Sequence, residues 1–264
     1  FAMPAAGEEA ADYGDVVLPA DCLSIQEIGA AAGAFMVFTW LILLVTALFM
    51  LFKAVQSQTE ASRQMFCYIN AFICAVTTYS YFAMFSGMGW ETIEGCRQFF
   101  YIRLVEFAVT GALMILGLGL LAEQDYPTIW ATMGCNVGMC FATYIASTAT
   151  VPVVKWLWFL LSLVLFVPIV YVLLREFRQT VIDRNDPDRI ELYGRVSLLL
   201  IIVWAIYPFV WLLSVGMHAM GVSLEVICYC VLDILAKVFY AFMMVNLGLY
   251  SSVTPQSQTQ KEYV

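Results

Sequence analysis

Two pairs of ionisable residues lie inside apolar stretches of the sequence, where charge is rare. Asp233 and Lys237 are four residues apart and Arg103 and Glu106 are three apart, so on helices each pair shares one face. An ionisable residue at membrane depth indicates function and needs a partner. We expect the two pairs to meet as a buried group of two cations and two anions. The alternative is a group that only fixes helix register, because buried ion pairs are weak evidence for stability.

The position of Lys237 decides which chemistry this group can do. The last apolar stretch begins near Val222, so at about 1.5 Å per residue Lys237 lies roughly 22 Å along a helix, close to mid-membrane. A desolvated amine is nucleophilic, and the reaction open to it in a dry pocket is Schiff-base formation with an aldehyde. The iminium stays protonated when carboxylates lie beside it. Asp233 and Glu106 meet that need.

The elements that must position these residues are membrane helices. The chain is 62% apolar and 12% charged, with a mean hydropathy of +0.85, which is outside the usual range of a soluble domain. Stretches long enough to cross a bilayer recur with short polar breaks. We predict an all-α bundle of seven transmembrane helices, at about 29–53, 64–86, 99–122, 128–148, 153–176, 194–217 and 223–250. This transmembrane domain, residues 29–250, follows an acidic extracellular segment 1–28 and precedes a polar cytoplasmic tail 251–264.

The basic residues predict the orientation of the bundle, since cytoplasmic loops hold an excess of Lys and Arg. One set of loops and ends carries Lys53, Arg63, Arg175, Arg178, Arg184, Arg189, Arg195 and Lys261, whereas the other carries Arg97 and Lys155. We therefore expect the N-terminus outside, the C-terminus inside, and a multi-pass protein of the plasma membrane. The net charge of −8 argues against nucleic acid as a partner.

The eight cysteines show no metal-ligand spacing, and we expect no metal site. Six of them lie within apolar stretches, where cysteine behaves as a small hydrophobic residue. Cys22 and Cys96 both fall on the outer side, where a disulfide is chemically permitted. The sequence leaves open whether they are bridged.

Three segments resemble the microbial, or type 1, rhodopsins, which include bacteriorhodopsin and the channelrhodopsins. The seventh stretch reads VLDILAK from Val231 to Lys237 and is similar to the family's retinal-lysine segment. The sixth reads WAIYPFVW from Trp204 to Trp211 and looks like its aromatic pocket motif. The third reads YIRLVEFAVT from Tyr101 to Thr110 and is similar to the motif with its arginine and primary counterion. The resemblance covers essentially the whole chain after residue 28.

This resemblance implies that Lys237 carries retinal, all-trans in the dark, as a protonated Schiff base. It implies roles for Glu106 as primary counterion and proton acceptor, for Asp233 as second counterion, for Arg103, for Tyr79 as a hydrogen-bond donor to Asp233, and for Glu225 near an outer release path. The implied retinal-binding residues are Trp204, Tyr207, Pro208, Trp211, Phe107, Thr110, Gly111, Met139, Trp158, Ser162 and Phe166, with Asn136 beside them.

Departures from the family pattern bear on the mode of action. Outward proton pumps of the family hold a carboxylic acid about three turns inward of the counterion, where this chain has Gly117. No Asp or Glu occurs between Phe107 and Ala122, so reprotonation must come slowly from water or by another route. Gly111 and Asn136 occupy the two positions of a gate pair in many channelrhodopsins, so the resemblance does not carry that gate over.

We therefore predict a retinal photoreceptor that drives or gates ion transport, of protons or cations, without an internal donor. The alternatives are a sensory rhodopsin that signals through a partner protein and an inefficient pump paralogue. An enzyme is not expected, because the sole histidine, His218, lies at the outer end of the sixth span, away from Lys237, and has no serine nucleophile motif nearby. The expected partners are the lipid bilayer, the transported ion, and further copies of the chain in a dimer or trimer.

Overall fold

The computed structural model of the chain describes residue 22, residues 24–57 and residues 61–246. Within these residues seven helices are long and apolar enough to cross a membrane, so the chain is an integral, multi-pass membrane protein, as predicted. The helices are α1 (Ala30–Gln56), α2 (Ala61–Phe85), α3 (Ile102–Ala122), α4 (Tyr126–Thr148), α5 (Pro152–Asp183), α6 (Pro187–Gly216) and α7 (Val222–Val245). Residues 1–21 and 251–264 lie outside the described residues, and the orientation of the termini stays a prediction.

The largest difference from the predicted spans is the connection between α5 and α6. We expected a loop from about 177 to 193, but α5 continues to Asp183 and α6 begins at Pro187. The helices continue because Phe177 and Tyr193 are buried on their inner faces while polar neighbours face outward. The chain reverses at Asn185, which has a φ of 53°, and Asp186 then accepts a hydrogen bond from the Arg189 amide at 3.3 Å.

A small hairpin covers one end of the bundle and was not predicted. Strands β1 (Glu91–Ile93) and β2 (Arg97–Phe99) pair antiparallel, and Gln26 adds a parallel bridge to Arg97. A disulfide joins Cys22 to Cys96, which settles the question that the sequence left open. We call this the outer end of the bundle, following the predicted orientation.

Lys237 on α7 lies between the outer and the inner half of the bundle interior. The helix forms a π-helical segment, Ile234–Phe239, around this residue, a local departure that is frequent at functional sites. The main apolar cluster joins α3 to α7 through buried side chains such as Met114, Leu118, Tyr193 and Tyr240. Large apolar side chains on the outside of the helices, among them Phe38, Val45, Trp130, Val167 and Phe209, are exposed, as expected for surfaces that face lipid.

Candidate functional site

Lys237 lies between two carboxylates in the middle of the bundle. Its side chain is buried, with 3% exposed, and its Nζ pairs with Asp233 Oδ1 and with Glu106 Oε1, the latter at 3.5 Å. The Tyr207 hydroxyl is 3.5 Å from Nζ, and the centroid of the Phe107 ring is 4.4 Å from it. The structure thus brings together three of the four residues of the predicted group.

The two carboxylates are held by different hydroxyl groups. Glu106 Oε1 accepts hydrogen bonds from Thr77 Oγ1 at 2.6 Å and Thr110 Oγ1 at 2.9 Å. Asp233 accepts from two phenols, at Oδ2 from Tyr81 at 2.6 Å and at Oδ1 from Tyr207 at 2.7 Å. Two anions facing one amine favour a cation at Nζ, which is the electrostatic condition for a protonated nitrogen.

The prediction that Tyr79 donates to Asp233 is wrong. The Tyr79 side chain is 70% exposed on the outer surface of α2, whereas Tyr81 makes the bond. The reason is helical phase. Thr77 and Tyr81 are four residues apart and both face inward, and a residue two positions from either lies about 200° around the helix. The contact of Thr77 with Glu106 identifies which face of α2 points inward.

Arg103 does not join the Lys237 group, contrary to expectation. It faces Glu225, with Nη1 4.0 Å from Oε1, and its Cζ is 4.2 Å from the centroid of the Tyr229 ring. The reason is that helical side chains lean toward the helix N-terminus, so Arg103, in the first turn of α3, extends outward from Glu106.

Arg97 completes this second cluster and was taken for a loop residue from the sequence. It is 2% exposed, donates from Nη2 to Glu225 Oε2 at 2.5 Å, and donates from Nη1 to the Met220 carbonyl at 2.7 Å. The hairpin and the disulfide beside it hold Arg97 over the end of α7. Nothing in the local sequence signals this, because the hairpin strands are three residues long.

A cavity lies between α3, α4, α5, α6 and α7, and its wall includes Lys237 as well as Arg103 and Glu225 of the outer cluster. Its wall is mainly apolar and aromatic. Among the predicted retinal-binding residues, the wall includes Lys237, Trp204, Tyr207, Pro208, Trp211, Phe107, Thr110, Gly111, Met139, Ser162 and Phe166. Sequence reasoning missed Phe159, which lines the cavity and stacks on Trp211 with ring centroids 4.2 Å apart.

Trp158 is the predicted pocket residue that the cavity wall lacks. It is half-buried and packs against the neighbouring cluster that contains Phe159. Steps of four residues turn a helix by about 40° beyond one full turn, so Trp158, Ser162 and Phe166 cannot all point the same way. Phe159, seven residues before Phe166, lies within about 20° of it around the helix and takes the inward position.

Gly111 on α3 and Asn136 on α4 are in contact, and this contact joins the two helices. A Cβ on Gly111 would overlap the Asn136 amide, whose Cγ lies 2.9 Å from that position. The Asn136 Nδ2 donates to the carbonyls of Phe107 at 3.3 Å and Ala108 at 3.1 Å. The pair therefore fixes α4 against α3 by close approach.

The residues present fit retinal, an apolar polyene with an aldehyde at one end. The Lys237 amine, with its two carboxylate partners, lies in the cavity wall, and the rest of that wall is mainly aromatic and apolar. The model of the bacteriorhodopsin-like protein family matches residues 33–250. The chain belongs to this family.

Similar proteins extend this finding. Archaerhodopsin-2 of Halobacterium sp. (strain aus-2) is 26% identical over 193 residues, which cover 71% of this chain and 74% of the relative. A crystal structure of a light-driven proton pump from Leptosphaeria maculans covers 86% of this chain and 97% of its own, with a TM-score of 0.79 and 21% identity. Halorhodopsin, a light-driven chloride pump, covers 83% and 95%, with a TM-score of 0.76 and 19% identity.

The last two likenesses show the shared fold. The same fold serves a proton pump and a chloride pump. Members of the family are retinal-binding rhodopsins, and the proteins similar to this chain include light-driven ion pumps.

Proposed function

We propose that this chain is a light-driven or light-gated ion transporter that carries retinal on Lys237. The observation that carries the proposal is a buried amine between two carboxylates that lines an aromatic cavity. Retinal, all-trans in the dark and linked as a protonated Schiff base, supplies the absorption of visible light and a change of shape at the Lys237 nitrogen. The chain's own residues determine where the proton on that nitrogen goes.

Glu106 is the proposed proton acceptor. It lies 3.5 Å from Nζ and on a different helix, so a movement of Lys237 changes its distance to Glu106 more than its distance to Asp233. Glu106 accepts hydrogen bonds from two threonine hydroxyls, whereas Asp233 is held by two phenols and shares α7 with Lys237.

The outer cluster is the proposed exit side. The cavity wall includes Arg103, on the same helix as Glu106, and Glu225 on α7, so charge displaced outward meets this cluster. Glu225 is paired with Arg97 at 2.5 Å and therefore acts as a fixed anion on this path. Glu225 was predicted to lie near an outer release path, and we propose that it does so as part of this ion-paired cluster.

A sensory function is the second candidate, and one observation favours it. Among the described residues, the Asp and Glu on the inner side lie in loops or in the last or first two turns of helices, at Glu123, Asp125, Glu176, Asp183, Asp186, Asp188 and Glu191. None lies between Lys237 and those helix ends. Slow return of a proton prolongs the light-activated state, which suits signalling to a partner.

Replacing Lys237 tests the central residue. Lys237→Ala should abolish the pigment when all-trans retinal is supplied to the purified protein. Lys155→Ala is the matched control, because Lys155 is also a buried lysine but pairs with Glu94 at the outer end, at 3.2 Å. It should keep its visible absorbance and bleach with hydroxylamine. Visible absorbance in the Lys237→Ala protein, or its loss in both variants, would contradict the assignment.

Photocurrent under voltage clamp separates the transport modes. A current that reverses with voltage means a channel, and one that keeps its sign means a pump. A pigment with no current in either direction overturns the transport proposal in favour of sensing.

A further inference from the structure

Tyr240 lies one helical turn inward of Lys237 on α7. Its side chain is fully buried, at 0% exposed, and its hydroxyl donates a hydrogen bond to the Met114 carbonyl of α3 at 3.2 Å. Met114 also lines the cavity whose wall includes Lys237. A phenol thus bridges α7 and α3 on the inner side of the amine.

Gly117 of α3 stands directly opposite this hydroxyl. A Cβ built on Gly117 would lie 2.7 Å from Tyr240 Oη, closer than Cβ atoms approach an oxygen, while the next neighbours, on Ile69 and Met244, are 3.9 Å away. The phenol therefore occupies the volume that any side chain at residue 117 would need. The close approach of the phenol therefore depends on the glycine at residue 117.

The surroundings of the pair are apolar. Tyr240 belongs to the main apolar cluster together with Met114, Ile115, Leu118 and Met244. The cavity that runs outward to Arg103 and Glu225 includes no residue of α7 beyond Lys237 in its wall. Dense apolar packing excludes water, and without water or a carboxyl group a proton has no carrier across this layer.

We infer that Tyr240, by filling the space beside Gly117 from α7, closes the inner approach to Lys237 and sets the rate at which that nitrogen regains a proton. Tyr240 is a positioning residue, since its hydroxyl proton is engaged with the Met114 carbonyl and a phenol is a weak acid. The inference rests on the proposed function for its effect on rate. The packing of Tyr240 against Gly117 does not depend on retinal and is tested separately.

Thermal unfolding of the chain without retinal tests the packing. Gly117→Ala should lower the unfolding temperature in the native background and much less in a Tyr240→Phe background, because removing Oη frees the space. Gly134→Ala is the control, as nothing lies within 4 Å of a Cβ there, and it should have the same effect in both backgrounds. Equal destabilisation by Gly117→Ala in the two backgrounds would overturn the packing claim.

Flash photolysis of the pigment tests the rate. Gly117→Asp with Tyr240→Phe should return the proton about 10²-fold faster than Tyr240→Phe alone, the low end of what a positioned general acid contributes. Tyr240→Ala should also speed the return by admitting water. If both variants form pigment and recover at the wild-type rate, Tyr240 does not control proton entry. If the wild type forms no pigment, the proposed function fails, while the unfolding comparison still decides the packing.

Discussion

The outer and inner halves of the bundle, on either side of Lys237, are built from opposite chemistry. The outer half holds Arg97, Arg103 and Glu225 in one buried cluster that adjoins the cavity. In the inner half two buried phenols donate to backbone carbonyls, Tyr193 to Leu173 at 2.7 Å and Tyr240 to Met114 at 3.2 Å. The outer half is organised to hold charge and the inner half to exclude it. In the proposed function, a proton that leaves Lys237 outward meets charged partners. Among the described residues, a proton that returns from inside meets no carboxyl group between the inner helix ends and Lys237.

The largest effect expected from this asymmetry follows from Glu106→Gln. Removal of the acceptor should slow loss of the Lys237 proton by about 10² or more, within the range of general-base catalysis. It should also shift absorption to longer wavelength, because a weaker counterion lets the positive charge spread. Visible spectra and flash photolysis measure both changes.

Glu225→Gln is the comparison in the outer cluster and should leave the absorption maximum nearly unchanged, since Glu225 does not contact Lys237. An unchanged spectrum in Glu106→Gln together with a changed one in Asp233→Asn would exchange the roles of the two carboxylates.

Arg97→Gln should produce the next largest effect, on stability. It weakens the pairing of a buried carboxylate, Glu225, and breaking such a pair costs about 3–5 kcal/mol. Adding Glu225→Gln should restore part of the loss, because no uncompensated charge then stays buried. Thermal unfolding in detergent or lipid measures the change.

Arg195→Gln is the matched control for Arg97→Gln. Arg195 pairs with Glu191 one turn away on the exposed surface of α6, a kind of pair that contributes about 0.3–0.5 kcal/mol. Equal destabilisation by the two arginine variants would show that the outer cluster is not organised around buried charge.

The smallest predicted effect compares two tyrosines of α2. Tyr81→Phe removes a hydrogen bond to the Asp233 carboxylate and should cost about 1.5–3 kcal/mol of stability, with a small spectral shift. Tyr79→Phe changes an exposed side chain and should stay within about 0.5 kcal/mol. A larger effect at Tyr79 than at Tyr81 would mean that the phase of α2 is different.

The sequence predicted those features of the site that depend on local spacing. Asp233 and Lys237 are one turn apart on one helix, so their contact follows from helical periodicity. Seven spans follow from the length of the apolar stretches. The predicted contact between α3 and α7 through Glu106 assumed that both charged faces point inward. The structure contains this contact.

The predictions were wrong where a contact depends on the direction of a side chain or on segments that are distant in sequence. Tyr79 and Tyr81 are two residues apart, so they lie on opposite sides of α2. Arg103 points away from Glu106 because helical side chains lean toward the helix N-terminus. Arg97 became a buried partner because a disulfide and a short hairpin fold over the helix ends. The contact between Tyr240 and Gly117 joins residues more than a hundred positions apart, and no local pattern encodes it.

Flash photolysis of the wild-type pigment across a pH series tests most directly whether the inner half excludes proton carriers. Return of the proton to Lys237 should slow as pH rises, approaching about tenfold per pH unit where hydronium is the donor. Azide, whose small conjugate acid diffuses into apolar layers, should accelerate it. Recovery within milliseconds at a rate independent of pH and azide would contradict this, because it would require an internal proton donor on the inner side of Lys237.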